Sequence, residues 1–182
     1  CSGSRPFAKY LAPSPIGDIL LAADQTGLTG LWFEGARYFA NGLDPEHTEQ
    51  DLPVFRQTKQ WLDIYFSGSI PDFMPPIHMI GSDFRQTVWQ LLLEIPYGQT
   101  ITYGALARKI EQQSVAVHMS AQAVGGAIAH NPICILIPCH RVVGTNGSLT
   151  GYAGGIHKKI KLLSLEKADM SGMFIPRTGT AL

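Results

Sequence analysis

The sequence predicts an α+β protein in two parts: a small antiparallel sheet followed by a helix, then a mainly helical segment. Three observations predict it. Phe7 to Ala12, Ile19 to Ala23 and Leu28 to Glu34 are short apolar runs separated by turn-forming residues, the pattern of strands joined in hairpins. From Ser82 onward the apolar residues fall at helical spacing. Between the two, Ser69 to Gly81 carries Pro71, Pro75 and Pro76 and reads as a linker. The expected units are 1–81, 82–170 and a C-terminal tail, 171–182.

Each element follows from local chemistry. Pro13-Ser14-Pro15-Ile16-Gly17-Asp18 and Asp24-Gln25-Thr26-Gly27 are turn-rich connections. Asn41 to Gln50 reads as an acidic loop. Leu52 to Phe66 has apolar residues at 52, 55, 62, 65 and 66, one helical face, with Pro53 suited to its first turn and Gly68 to its end. A helix opens at Ser82-Asp83-Phe84-Arg85, with Ser82 or Asp83 as N-cap, and runs through Leu93. Ile95-Pro96-Tyr97-Gly98 breaks it. Thr102 to Ile110 and Ser120 to Ala129 read as two helices of a helix-turn-helix. Gly125 and Gly126 inside the second cost roughly 1 kcal/mol each relative to alanine, and would permit close approach of another backbone. The last helix is Ile156 to Lys167. Lys158, Lys159 and Lys161 read as its solvated face.

Composition narrows the classes. The 182 residues, 45% of them hydrophobic, suffice for one sizeable core or two small ones. No apolar run approaches the ~20 residues that span a bilayer, and no charged-then-apolar leader opens the chain, so no membrane association is expected. The three cysteines, Cys1, Cys134 and Cys139, form no Cys-x-x-Cys pair, which suggests neither a zinc site nor a disulfide framework. A reactive thiol fits a reducing compartment such as the cytoplasm. The charge is uneven: residues 1–81 hold five Lys/Arg against nine Asp/Glu, residues 82–182 nine against five. The second part is therefore the one suited to approach phosphates, with modest affinity and salt slope.

The chemistry concentrates at Ile137-Pro138-Cys139-His140-Arg141-Val142-Val143. The apolar run Ile133 to Ile137 reads as a buried strand or extended segment, ended by Pro138. A thiol beside an imidazole can become a thiolate near neutral pH, the nucleophilic form. On its own the Cys-His pair is weak evidence, and a buried structural cysteine is the better reading of it.

The surrounding residues decide between the two. Ala123-Val124-Gly125-Gly126-Ala127, Asn131-Pro132, Gly151-Tyr152-Ala153-Gly154-Gly155 and Leu162-Leu163-Ser164-Leu165-Glu166, in order around Pro138-Cys139-His140-Arg141-Val142, resemble the O6-alkylguanine-DNA alkyltransferases, also called methylated-DNA–protein-cysteine methyltransferases. The resemblance is dense from Ser82 to Lys167 and looser at Ser14-Pro15-Ile16-Gly17 and Gly30-Leu31-Trp32-Phe33. It implies a ribonuclease-H-like N-terminal domain and a winged-helix-like C-terminal domain whose second helix enters the minor groove. It also implies a monomer acting on double-stranded DNA that contains O6-alkylguanine, and O4-methylthymine as well, with no cofactor and no metal.

The same resemblance distributes the roles. Cys139 is the nucleophile, His140 the base and Glu166 its orienter. Adjacent residues in an extended chain point apart, so a water is expected between His140 and Cys139. Tyr103 helps rotate the target phosphate and donates to the base, and Asn131 ties the recognition helix to the active-site segment. Val142, Tyr152, Ala153 and Gly154 wall the guanine pocket, with Cys134 as packing or lining. Gln122, Ala123 and Gly125 face DNA. Arg141 is expected to make structural hydrogen bonds.

Two features depart from the pattern. Gln122 stands where many members have an arginine that fills the gap left by the flipped base, and glutamine lacks that charge and stacking plane. The segment Glu111 to Met119 is longer than in many relatives. Three other readings exist: a cysteine hydrolase, a noncatalytic lesion-binding protein and a methylation-triggered regulator. They would require, respectively, turnover with an oxyanion hole, a replaced cysteine, and a cysteine-rich zinc domain; these 182 residues keep Cys139, and with three cysteines no such zinc domain is expected.

Overall fold

The computed structural model describes residues 7–10, 14–35, 48–49, 51–113, 121–144, 146–149, 152 and 155–175. The chain divides into two compact units, one of residues 1–80 with 132–136 and one of residues 81–131 with 137–182.

In the first unit, β1 (Phe7–Tyr10), β2 (Ile19–Ala23) and β3 (Leu28–Phe33) form an antiparallel meander. A two-residue strand, β4 (Thr48–Glu49), lies in the stretch expected to be an acidic loop and pairs in parallel with β1, giving the order β3-β2-β1-β4. Asp24 shapes the β2–β3 turn by accepting from the Thr26 and Gly27 amides at 2.8 and 3.1 Å. β2 is buried on both faces. Helix α1 (Pro53–Phe66) buries Phe55, Thr58, Trp61, Leu62 and Tyr65. Pro53 opens it, and Gly68, at φ 90°, closes it by donating to Tyr65 O, as a glycine past a helix end does.

The outer edge of β3 is covered by two later segments. Leu28 exchanges backbone bonds with Pro76 and His78, and Leu31 with Pro132 and Cys134. Only Ile133 of the apolar run is bridged to a strand. The rest is not the expected strand. Cys134, Ile135 and Leu136 form a γ-turn, closed by the Leu136 amide on Cys134 O at 2.8 Å, with Ile135 at φ 69°. That hand of γ-turn is strained, more so at a β-branched residue. The run is apolar because all five residues are buried, not because it is extended.

In the second unit, α2 (Asp83–Leu93) is capped by Ser82, whose hydroxyl accepts from the Arg85 amide. Its indole Trp89 donates to Ala127 O at 3.0 Å, fixing α2 against α4 (Ala121–Ala129). Between them lie β5 (Ile101–Thr102) and α3 (Tyr103–Gln113). Residues 114–120 lie outside the described residues; they hold most of the segment Glu111 to Met119 expected to be a longer loop, and Ser120, expected to start the next helix. After α4 come a 3-10 turn, Cys139–Arg141, then β6 (Val142–Val143), which pairs in parallel with β5, and α5 (Ile156–Leu165). No helix among the described residues is long and apolar enough to cross a membrane.

Helix α5 stops two residues short of the expectation. Glu166 is its C-cap, and Lys167 turns to φ 56°. The Ala168 amide donates to Leu163 O and the Lys167 amide to Ser164 O, a Schellman ending with lysine where glycine is usual. Beyond it, residues 170–175 return along the 144–149 turn: Phe174 N donates to Gly147 O, and Leu149 N to Phe174 O. Met170 and Met173 pack on the cluster of Val143, Leu149 and Leu163. This part of the expected tail is thus docked; residues 176–182 lie outside the described set.

Candidate active site

Pro138 sets the approach to Cys139. It centres an inverse γ-turn, φ −80° and ψ 65°, closed by the Cys139 amide on Ile137 O at 2.8 Å. Asn131, buried after α4, donates its Nδ2 to the same Ile137 oxygen at 2.9 Å. The end of α4 and the approach to Cys139 therefore share one acceptor.

Cys139, His140 and Arg141 are not extended, as the adjacent-residue reading assumed, but form one turn of 3-10 helix. Successive side chains then diverge by about 120°, and all three are buried. Nε2 of His140 lies 2.5 Å from Oε2 of Glu166, with both side chains fully enclosed. Burial raises the Glu166 pKa, but hydrogen bonds and charge from His140 and Arg141 outweigh it and hold the carboxyl at about 2. An ionised carboxylate only accepts, so Nε2 carries the proton and Nδ1 is the basic nitrogen of the neutral ring. Burial, chiefly, pushes the His140 pKa below its ordinary value, against the raising effect of Glu166. The Tyr152 ring stands edge-on to His140, centroids 6.4 Å apart.

Glu166 is anchored further. Its Oε1 accepts from Arg141 Nε at 2.7 Å and from the Gly98 amide at 3.1 Å. Arg141 also donates to Ile95 O at 2.7 Å, so the turn after α2 and the end of α5 meet on the 3-10 turn.

Lys159 departs from the expectation of a solvated face. It is fully buried and donates Nζ to Val142 O at 2.5 Å. Burial lowers its pKa to about 8, while the nearby Cys139 sulfur favours the charged form. A signal for this was visible. Lys159, Leu162, Leu163 and Glu166 repeat at i, i+3, i+4 and i+7, the inward stripe of a helix, and all four are buried.

The other expected residues divide as follows. Val142 is buried in β6, and Tyr103, half-buried, opens α3 directly after β5, whose Ile101 pairs with Val142. Cys134 is buried in the first unit, its amide on Leu31 O. Ala153 and Gly154 lie outside the described residues. On α4, Gln122, Ala123 and Gly126 are exposed and Gly125 half-exposed. A Cβ on Gly125 or Gly126 would meet nothing within 4 Å, and neither has a left-handed φ. Packing among the described residues does not require these glycines.

Comparison with known proteins identifies the family. Residues 83–168 match the model of the 6-O-methylguanine DNA methyltransferase DNA binding domain, and residues 8–78 that of the ribonuclease-like domain of the same proteins. The chain is 41% identical over 157 residues to the methylated-DNA–protein-cysteine methyltransferase of Haemophilus influenzae, covering 85% of this chain and 83% of that one. It is likewise 41% identical to the protein of that name from Methanosarcina acetivorans, over 84% of this chain and 94% of the other. The fold matches the crystal structure of Mycobacterium tuberculosis OGT in complex with DNA, with a TM-score of 0.77 and 38% identity over 91% of this chain and 98% of that one. The chain belongs to the 6-O-methylguanine DNA methyltransferase family.

Proposed function

We propose that this chain repairs DNA by moving an alkyl group from O6 of an alkylated guanine, or O4 of a methylated thymine, onto the sulfur of its own Cys139. The observation that carries this is the buried Glu166–His140 hydrogen bond next in the chain to the buried thiol of Cys139, in the unit that also holds α3 and α4. In the reaction the S–H bond breaks and its proton passes, through a water, to Nδ1 of His140. The thiolate attacks the alkyl carbon in line. The S–C bond forms as the C–O6 bond breaks, and the departing guanine takes a proton, with Tyr103 as donor. The thioether is not hydrolysed, so each molecule acts once. Sites of this kind use a base to generate the thiolate and a protonated leaving group to release it.

The base must leave the duplex to reach a buried thiol. The exposed, small-residue face of α4, with Ala123, Gly125 and Gly126, supports close approach of double-stranded DNA, with Gln122 entering the vacated stack. Val142, Tyr152, Ala153 and Gly154 are assigned to the pocket wall, and Asn131 to the coupling of α4 with the nucleophile. A single thiol per lesion needs no second subunit, and a reactive cysteine suits the cytoplasm; we assign the chain as a cytoplasmic monomer. The test is intact-mass measurement before and after incubation with DNA containing O6-methylguanine. One added methyl, located on the Cys139 peptide, is expected; repeated turnover with unmodified Cys139 would sink the reading.

A further inference from the structure

Glu166 occupies an unfavourable place for a carboxylate. It is buried, and as the C-cap of α5 it sits at the negative end of the helix dipole. Its two oxygens are used differently. Oε2 faces His140, whereas Oε1 receives both Arg141 Nε and the Gly98 amide. Arg141 is held on three sides: by Glu166, by Ile95 O, and by the Tyr97 ring, 5.8 Å from its guanidinium carbon. Tyr97 in turn donates its hydroxyl to Leu165 O at 3.4 Å, and Gly98, at φ 79°, brings its backbone so close that a Cβ would stand 3.0 Å from Glu166 O. The turn at 95–98 and Arg141 thus clamp one oxygen and leave the orientation of the other fixed toward the imidazole.

A carboxylate shared with a histidine alone pulls a proton onto the ring and stabilises imidazolium. A protonated His140 cannot accept the thiol proton. We propose that Arg141 is a positioning residue of the relay: by taking up one oxygen and part of the charge of Glu166, it keeps His140 neutral and oriented until the thiol delivers its proton. The proposal rests on the alkyl-transfer reading above. The charged and titratable groups facing His140 are Glu166 at the end of α5, Lys159 on α5, Arg141 and Cys139 on its own turn, and Tyr152 across its edge; Tyr97, on the turn after α2, faces Arg141. After burial, Arg141 and Lys159 both act to lower the His140 pKa, against Glu166. Arginine suits the position because its planar fork reaches Glu166 and Ile95 at once.

The experiment is the single-turnover rate of methyl transfer against pH, for the parent and Arg141→Gln. Glutamine keeps a hydrogen-bond donor toward Glu166 and removes the charge. The acidic limb of the profile is expected to move up by about one pH unit, as loss of an adjacent cation allows, with the rate approaching that of the parent at alkaline pH. A uniform slowing at every pH, or no change, would overturn the proposal. The titration of the His140 ring by NMR in the parent needs no variant. A ring neutral at pH 7 is expected, and a ring protonated at pH 7 overturns the proposal even if Arg141→Gln does not fold. Failure of the parent to gain a methyl on Cys139 would instead reject the alkyl-transfer reading, so the two failures are distinct.

Discussion

The ammonium of Lys159 and the carbonyl oxygen of Val142 meet 2.5 Å apart, with neither residue exposed to solvent. The bond ties α5 to the strand that follows the Cys139–Arg141 turn. It places a cation in the interior, where burial opposes it, beside a sulfur whose negative form would favour it. The attraction is reciprocal: an ammonium that gains from a thiolate also stabilises the thiolate.

Lys159→Met is therefore expected to change two pH dependences. The Lys159 pKa is lowered from 10.5 to about 8 in the folded chain. Between those values the unfolded chain holds the proton that the folded chain has released, so stability rises with pH through this window. Denaturant unfolding at a series of pH values should show that rise in the parent and lack it in the variant. The slope is the readout, because methionine also leaves Val142 O without its donor. Alkylation of Cys139 by iodoacetamide should need a higher pH in the variant; an unchanged profile would separate Lys159 from the thiol.

Glu166 carries the opposite sign. Its folded pKa, about 2, lies below the ordinary 4.5. The stabilisation it brings is complete above pH 4.5 and is lost as pH falls from there toward 2. Glu166→Gln should flatten the acid limb of the stability curve over that range. In transfer kinetics, His140→Ala and Glu166→Ala should each slow methylation, and the double variant should lose less than the product of the two factors, as members of one relay do. Multiplicative losses would count against the relay.

Much of this architecture was legible where a residue's chemistry acts locally. Ser82 caps α2 and Pro53 opens α1 as their side-chain chemistry requires. Legibility failed where tertiary contacts decide. The run at 133–137 has the composition of a strand because it is buried, and burial alone does not distinguish a strand from a strained turn at Ile135. The charge of Lys159 points to solvent, while its place on the inward stripe of α5 points to the core, where it is buried. In the site, Cys139 and His140 stood out by their adjacency. Glu166, 26 residues from His140 in sequence, was visible only through the family resemblance, and the Gly98 amide that holds it leaves no mark in any motif.

The glycines separate structural from functional demand. Gly147 sits at φ 91°, and a Cβ there would approach the Gly172 carbonyl oxygen to 2.3 Å. Gly147→Ala should destabilise the chain by more than the roughly 1–2 kcal/mol of the left-handed backbone alone, because the obstacle is backbone. Gly125→Ala should do the reverse, stabilising the isolated protein by about 0.5–1 kcal/mol, since the added methyl meets nothing among the described residues. If the α4 face meets DNA, the same methyl should slow repair of duplex DNA. Thermal unfolding and single-turnover rates on duplex check both halves. A Gly125→Ala variant that is more stable and equally fast on duplex would remove α4 from the interface.

Gln122 offers the sharpest test of how the base leaves the helix. It is exposed near the start of α4, one residue before Ala123 and three before Gly125, so the small-residue face leads up to it. A side chain that fills the gap in the stack must be long enough to reach it and must replace what the flipped base gave up. Glutamine has the length and an amide that can hydrogen-bond to the orphaned partner, but neither charge nor a delocalised plane for stacking. Gln122→Arg supplies both, and the added cation also strengthens phosphate attraction. It should speed transfer from duplex DNA, and Gln122→Ala should slow it. Neither should alter reaction with free O6-alkylguanine, which requires no extrusion. The measurement is the ratio of second-order rates on duplex and on the free base. Opposite shifts of that ratio in the two variants would place Gln122 in the vacated stack. A ratio unchanged in both would leave Gln122 a solvated helix residue and put the work of extrusion on Tyr103 and the backbone.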